Sequence, residues 1–174
     1  MDSEGLGFEL AKEIQEHVIE SSEDICRNIG VPLQNVFLEY IALLLWSASK
    51  EIQNSLPKKH FKQAIDLTFS ASALLLEEAG IREHMSDFTP EAFESFIRDR
   101  FETYYGAWRG FAIDDDELSE VTLAHNFVLL CITDEEDLSK ATHPNRDDYR
   151  RHIQVVLRHY RIFTGRAKAL ISRF

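Results

Sequence analysis

The chain has 174 residues, enough for one domain able to bury about 70% of the surface its unfolded form exposes. With 44% hydrophobic and 28% charged residues, and only 7 glycines and 4 prolines, the composition excludes intrinsic disorder and a stapled mini-protein. A net charge of -11 disfavours nucleic acid and anionic membrane as partners. The longest apolar stretch, Val36 to Ala48, contains Glu39 and is too short to span a bilayer.

Cys26 and Cys131 are far apart and lack metal-like spacing, and the N-terminus has no charged-then-apolar leader pattern, so a reduced, cytoplasmic setting without a disulfide is expected. Pro32, Pro57, Pro90 and Pro144 stand where helical periodicity begins, and Gly30 and Gly80 where it stops. These marks predict helices over 6–29, 32–54, 57–79, 90–109, 115–132 and 144–172, with a short turn near 134–140 opened by a Thr133–Glu136 capping box.

The first helix sets Leu6, Leu10, Ile14, Val18, Ile25 and Ile29 on one face and Glu9, Glu13, Glu16, Glu20 and Glu23 on another, so it is expected to cover the core from outside. Glu13, Glu16, His17 and Glu20 crowd a turn and a half of it, a spacing that suits mutual ion pairs on an exposed face better than a cation site. The second helix, with Ile41 to Trp46, and the third, with Leu74 to Leu76 behind Ala64, Ile65, Leu67 and Phe69, are apolar around most of their circumference and are expected to be central.

The fourth helix carries the stripe Phe93, Ile97, Phe101, Tyr104 and Trp108, which reads as core packing or as the wall of an apolar ligand pocket. Tyr104, Trp108 and Arg109 are its candidate ligand-binding residues. In the fifth helix, Phe127 to Ile132 leaves no wet side. His125 lies in line with Leu118, Val121, Val128 and Ile132, which predicts a buried, satisfied histidine; the alternative is that His125 and Asn126 complete the ligand site.

The last helix is the most regular, with Tyr149, Ile153, Val156, Tyr160, Phe163, Ala167, Leu170 and Phe174 spaced alternately four and three residues apart. Eight basic residues occupy its remaining surface; from Arg146 onward the chain carries +6, against -17 for residues 1–145. Such a basic segment is expected to dock on its own acidic body or on a neighbouring subunit. The seam suits packing in cis or a helix-pair dimer through Tyr149, Ile153, Val156, Tyr160 and Phe163. Asp148, His152 and His159 share one edge, a spacing that is not diagnostic of a metal site.

No nucleophile elbow, phosphate-binding glycine loop, paired Glu-x-x-His or His-Glu-x-x-His motif occurs, and the acidic runs 114–117 and 134–137 read as helix caps. No catalytic residue, metal or cofactor is therefore expected. The sequence reads as an all-α, single-domain bundle of about six helices over 1–174 with short connections. The function expected first is a non-enzymatic interaction or regulatory module acting through the last helix on a protein partner or a second copy, as in a homodimer. The alternative is a small-molecule-binding bundle, with or without catalysis, built around an aromatic-lined pocket.

Overall fold

Each helix boundary follows from local backbone chemistry. In the computed structural model, which describes residues 2–78, 89–109, 116–132 and 146–174, α1 (Ser3–Ile29) opens where the Asp2 carboxylate accepts the Gly5 N–H at 2.8 Å. It closes at Gly30, whose φ of 80° is the left-handed conformation a side chain would resist, with its N–H on the Cys26 carbonyl. Pro32 and Pro57 stand immediately before α2 (Leu33–Ser55) and α3 (Lys58–Glu78). Pro90 is the first residue of α4 (Pro90–Arg109), and Thr89 caps that helix by accepting the Ala92 N–H. α5 (Asp116–Cys131) and α6 (Arg146–Ile171) complete an all-α bundle with no strand among the described residues. All six helices match the expected spans within three residues. The expected turn at 134–140, Gly80 and Pro144 lie outside the described residues.

Side-chain pairings give the helix directions. Gly7 meets Leu67 and Gln15 reaches the Leu75 carbonyl, so α1 and α3 run parallel, with α2 antiparallel to both. Glu13 pairs with Arg166 and Asp24 with Arg158, so α6 runs antiparallel to α1. Asn35 bonds the Cys131 carbonyl while Tyr40 packs on Phe127, which makes α5 antiparallel to α2.

α2 is the axis of this arrangement. Every residue from Tyr40 to Ser49 is buried, and the helix touches all five others. The expectation that α2 and α3 are both central is corrected at α3. Only Ala64, Thr68 and Ser72 of its described side chains are buried, while Ile65, Leu67 and Phe69 are partly covered and Leu74 is 64% exposed. Its neighbour α1 buries more, from Leu6, Leu10 and Ile14 through His17, Val18 and Ser21 to Ile25. Periodicity ranks α3 as the more apolar helix, but it lies at the edge, where one face goes to α1 and much of the rest is left over.

Candidate functional site

Three features of the bundle hold polar or apolar chemistry that packing alone does not use up. The first lies between α1 and α6. His17 is buried and its Nε2 lies 2.9 Å from the His159 carbonyl; its ring packs on Tyr40 and Phe163, and its Nδ1 has no hydrogen-bond partner among the described residues. Burial lowers its pKa, so the ring is neutral near pH 7, and the carbonyl bond offsets this only in part. This corrects the expected exposed cluster: only the carboxylates face outward, Glu13 and Glu20 holding Arg166 and Glu16 pairing with Lys12. One turn further, Asp24 takes Arg158 at 2.5 Å and His159 at 2.8 Å, and the His159 hydrogen bond holds the Asp24 carboxyl below the usual range. Arg161 reaches Glu120 of α5, and Lys168 lies 3.7 Å from Glu51 of α2.

The basic helix therefore meets the acidic body of its own chain. Its seam is equally committed. Ile153, Val156, Tyr160 and Phe163 are buried in the chain's own core and Tyr149 is partly buried, so none of the five expected interface residues forms an exposed stripe on the folded chain. Exposed ion pairs contribute about 0–1 kcal/mol each, so the apolar seam carries the docking and the charges set its register.

The second feature is a buried ion pair between α2 and α4. Glu39, the one charge in the apolar stretch of α2, is 5% exposed, and Nε and Nη2 of Arg100 grip its carboxylate at 2.6–2.8 Å. Burial lifts the Glu39 carboxyl above its ordinary range, and the guanidinium pulls it only part of the way back. Beside the pair, Tyr104 is fully buried with its hydroxyl directed at the Glu39 carbonyl, and Cys131 is an inert thiol whose pKa burial pushes up. The signal for this pair in the sequence is Glu39, the one charge among the residues from Val36 to Ala48; nothing in the sequence marks Arg100 as its partner.

The third feature is a groove of about 700 Å³ between α3 and α4, floored by α2. Ile65, Phe69 and Ala73 form one wall at four-residue spacing. Phe93, Ile97, Phe101 and Tyr105 form the other, and Ser49 and Gln53 lie at the base. The Phe69 and Phe101 rings meet edge to face at 5.3 Å across it, and the Tyr105 hydroxyl bonds Gln53. Asp66, Ser70 and the Glu94–Arg98 pair line its mouth.

The five expected ligand-binding residues do not converge on one site. Phe93, Ile97 and Phe101 of the α4 stripe do line the groove, but Tyr104 turns the other way, against Trp46, and is closed off. Trp108 packs on Trp46, with the Lys50 ammonium 2.8 Å from its ring centroid. The Arg109 side chain lies outside the described residues. His125 is half-buried rather than core, because α5 turns Ser119, Leu123, Phe127 and Cys131 inward and leaves Leu118 36% exposed. The His125 Nδ1 meets the Tyr149 hydroxyl of α6, and burial lowers its pKa. Asn126 is also half-buried and lies outside the groove. His159, one of the expected edge of possible metal ligands, is engaged by Asp24. Among the described residues no three His, Cys, Asp or Glu side chains are grouped to hold a metal ion, and no helix is long and apolar enough to cross a membrane.

No protein-family model, curated protein or solved structure matches this chain.

Proposed function

We propose that this protein is a helical binding protein that takes an apolar small molecule into the groove between α3 and α4. The observation that carries this reading is the groove itself: about 700 Å³, walled by four aromatic rings and three aliphatic side chains, with a few polar groups at its base and mouth. Volumes of 300–1,000 Å³ with mainly apolar walls and sparse polar groups are typical of small-molecule sites. α3 supports it further, since its outward apolar residues exceed what contact with α1 consumes. A role for α6 as a partner surface has less support, because its apolar seam and four of its basic residues are engaged within the chain.

The test is a titration with Nile red, a neutral dye whose emission rises in apolar surroundings. Saturable binding at one site is expected, with loss of that binding in Ala73→Trp, which fills the groove from its wall, and retention in Leu74→Ala, an exposed neighbour on the same helix. Dye binding that is absent, or indifferent to Ala73→Trp in a variant with unchanged circular dichroism, would overturn the reading.

A further inference from the structure

We infer that the molecule this groove takes is a cationic amphiphile, an apolar chain or ring carrying a primary or secondary amine. The inference rests on the proposed binding role of the groove and concerns which end group it selects. Three charged residues line the groove: Asp66, Glu94 and Arg98. Arg98 is already satisfied, with Nη2 on the Glu94 carboxylate at 2.8 Å. Asp66 lies on the α3 wall, toward the Tyr105 end of the groove, and has no hydrogen-bond or ion-pair partner among the described residues. The lining is thus left with a single uncompensated charge, and it is negative.

An ammonium at the mouth would meet the Asp66 carboxylate in a charge-assisted hydrogen bond. It would also stand near the rings of Phe69, three residues on along α3, and of Tyr105 across the groove, whose faces attract cations. The apolar body would lie against Phe93, Ile97 and Phe101 below. A carboxylate head would instead face Asp66 with no free cation lining the groove to compensate it, and the net charge of -11 repels anions at longer range. A neutral alcohol would gain the apolar contacts alone.

The experiment is displacement of Nile red from the full chain by octylamine, octanol and octanoate, all below their aggregation concentrations. Octylamine is expected to displace the dye at about threefold lower concentration than octanol, the size of one exposed ion pair, and octanoate is expected to be weaker than octanol. In Asp66→Asn octylamine should fall to the level of octanol while octanol itself is unchanged. Glu9→Gln, which removes the same charge from an exposed site on α1 outside the groove, should leave the preference intact. Equal displacement by amine and alcohol, or an amine preference that survives Asp66→Asn, would refute the inference while leaving the groove as an apolar site. Failure of octanol to displace the dye at all would refute the binding role and the inference with it.

Discussion

Gly7 marks a close approach of α1 to α3, and its replacement by alanine gives a sharp test of the packing. A Cβ built on Gly7 would lie 2.6 Å from the Cβ of Leu67, 3.1 Å from the Thr68 nitrogen and 3.2 Å from the Leu67 carbonyl carbon. Two of these neighbours are backbone and the third is fixed to it, so no side-chain rotation relieves the contact. Carbon atoms rest at about 3.5–4.0 Å, so α1 and α3 must separate by about 1 Å where Leu6, Leu10 and Ala64 are buried. Overpacking of this kind costs about 1–3 kcal/mol. Alanine's higher helix propensity returns up to about 1 kcal/mol, and less near a helix start such as this. The net expectation is a loss of about 1–2 kcal/mol, read by urea denaturation followed at 222 nm, or a fall in Tm of about 2–8 °C for a chain of this size. Gly165 supplies the opposite sign: it lies inside α6 with nothing within 4 Å of an added Cβ, so Gly165→Ala should raise stability by about 0.5–1 kcal/mol. Gly7→Ala as stable as the parent would show that the helices do not approach this closely and would refute the reasoning.

Arg100→Met should cost about 3–5 kcal/mol, because it strands the Glu39 carboxylate in the core, whereas Glu39→Met with Arg100→Met should return to within about 2 kcal/mol of the parent; additive losses in the double-mutant cycle would contradict this. Phe163→Ala should cost about 3–5 kcal/mol and Arg166→Ala less than about 1 kcal/mol, since the former empties a fully buried site against His17 and the latter removes exposed pairs; a comparable loss from both would mean that charge holds α6 in place. The depressed His17 pKa makes stability fall on acidification: below the ordinary value of 6.5 the unfolded chain takes up a proton that the folded chain refuses, and the loss continues down to the folded pKa. His125 adds to the same slope and Asp24 acts only at lower pH, so His17→Gln should flatten the decline between pH 7.5 and 5.5, and an unchanged slope in denaturation midpoints would exclude His17 as its source.

What periodicity makes legible is the helix and its inner face, and what it cannot show is which helices face one another. The apolar period, with Pro and Gly punctuation at several of the ends, places all six helices, and the seam of α6 is buried along the 4-3 spacing from Ile153 to Ala167. His17 shares a turn with three glutamates, which suggests an exposed cluster, although its own angle on the helix places it beside Ile14 and Ser21 on the inner side. His125 shows the opposite case: α5 is apolar enough on several sides that its inner line, Ser119 to Cys131, does not stand out in the sequence. The groove needed both walls. The α4 stripe was visible, but its counterpart Ile65, Phe69 and Ala73 was absorbed into the expectation that α3 is central, and only the tertiary arrangement shows that apolar line left unpaired.

The groove and the Gly7 contact are two sides of one helix, and this connects stability to binding. On α3, the residues that meet α1, among them Leu67, Thr68 and Leu75, lie on nearly the opposite side from Ile65, Phe69 and Ala73, which line the groove. α4 is held separately, clamped to α2 by Glu39–Arg100 and by the packing of Trp46 on Tyr104, Tyr105 and Trp108. α3 packs chiefly on α1 while α4 packs on α2 and α5, and the Phe69–Phe101 ring contact bridges the space between them. A methyl group added at Gly7 pushes α3 away from α1 and therefore toward α4, which narrows the groove. Gly7→Ala should then weaken Nile red binding severalfold although residue 7 lies outside the groove, while Gly165→Ala should leave it unchanged. Should Gly7→Ala lose stability and keep full dye affinity, α3 must yield by some route other than a shift toward α4, and the groove would owe its width to α2 and α4 alone.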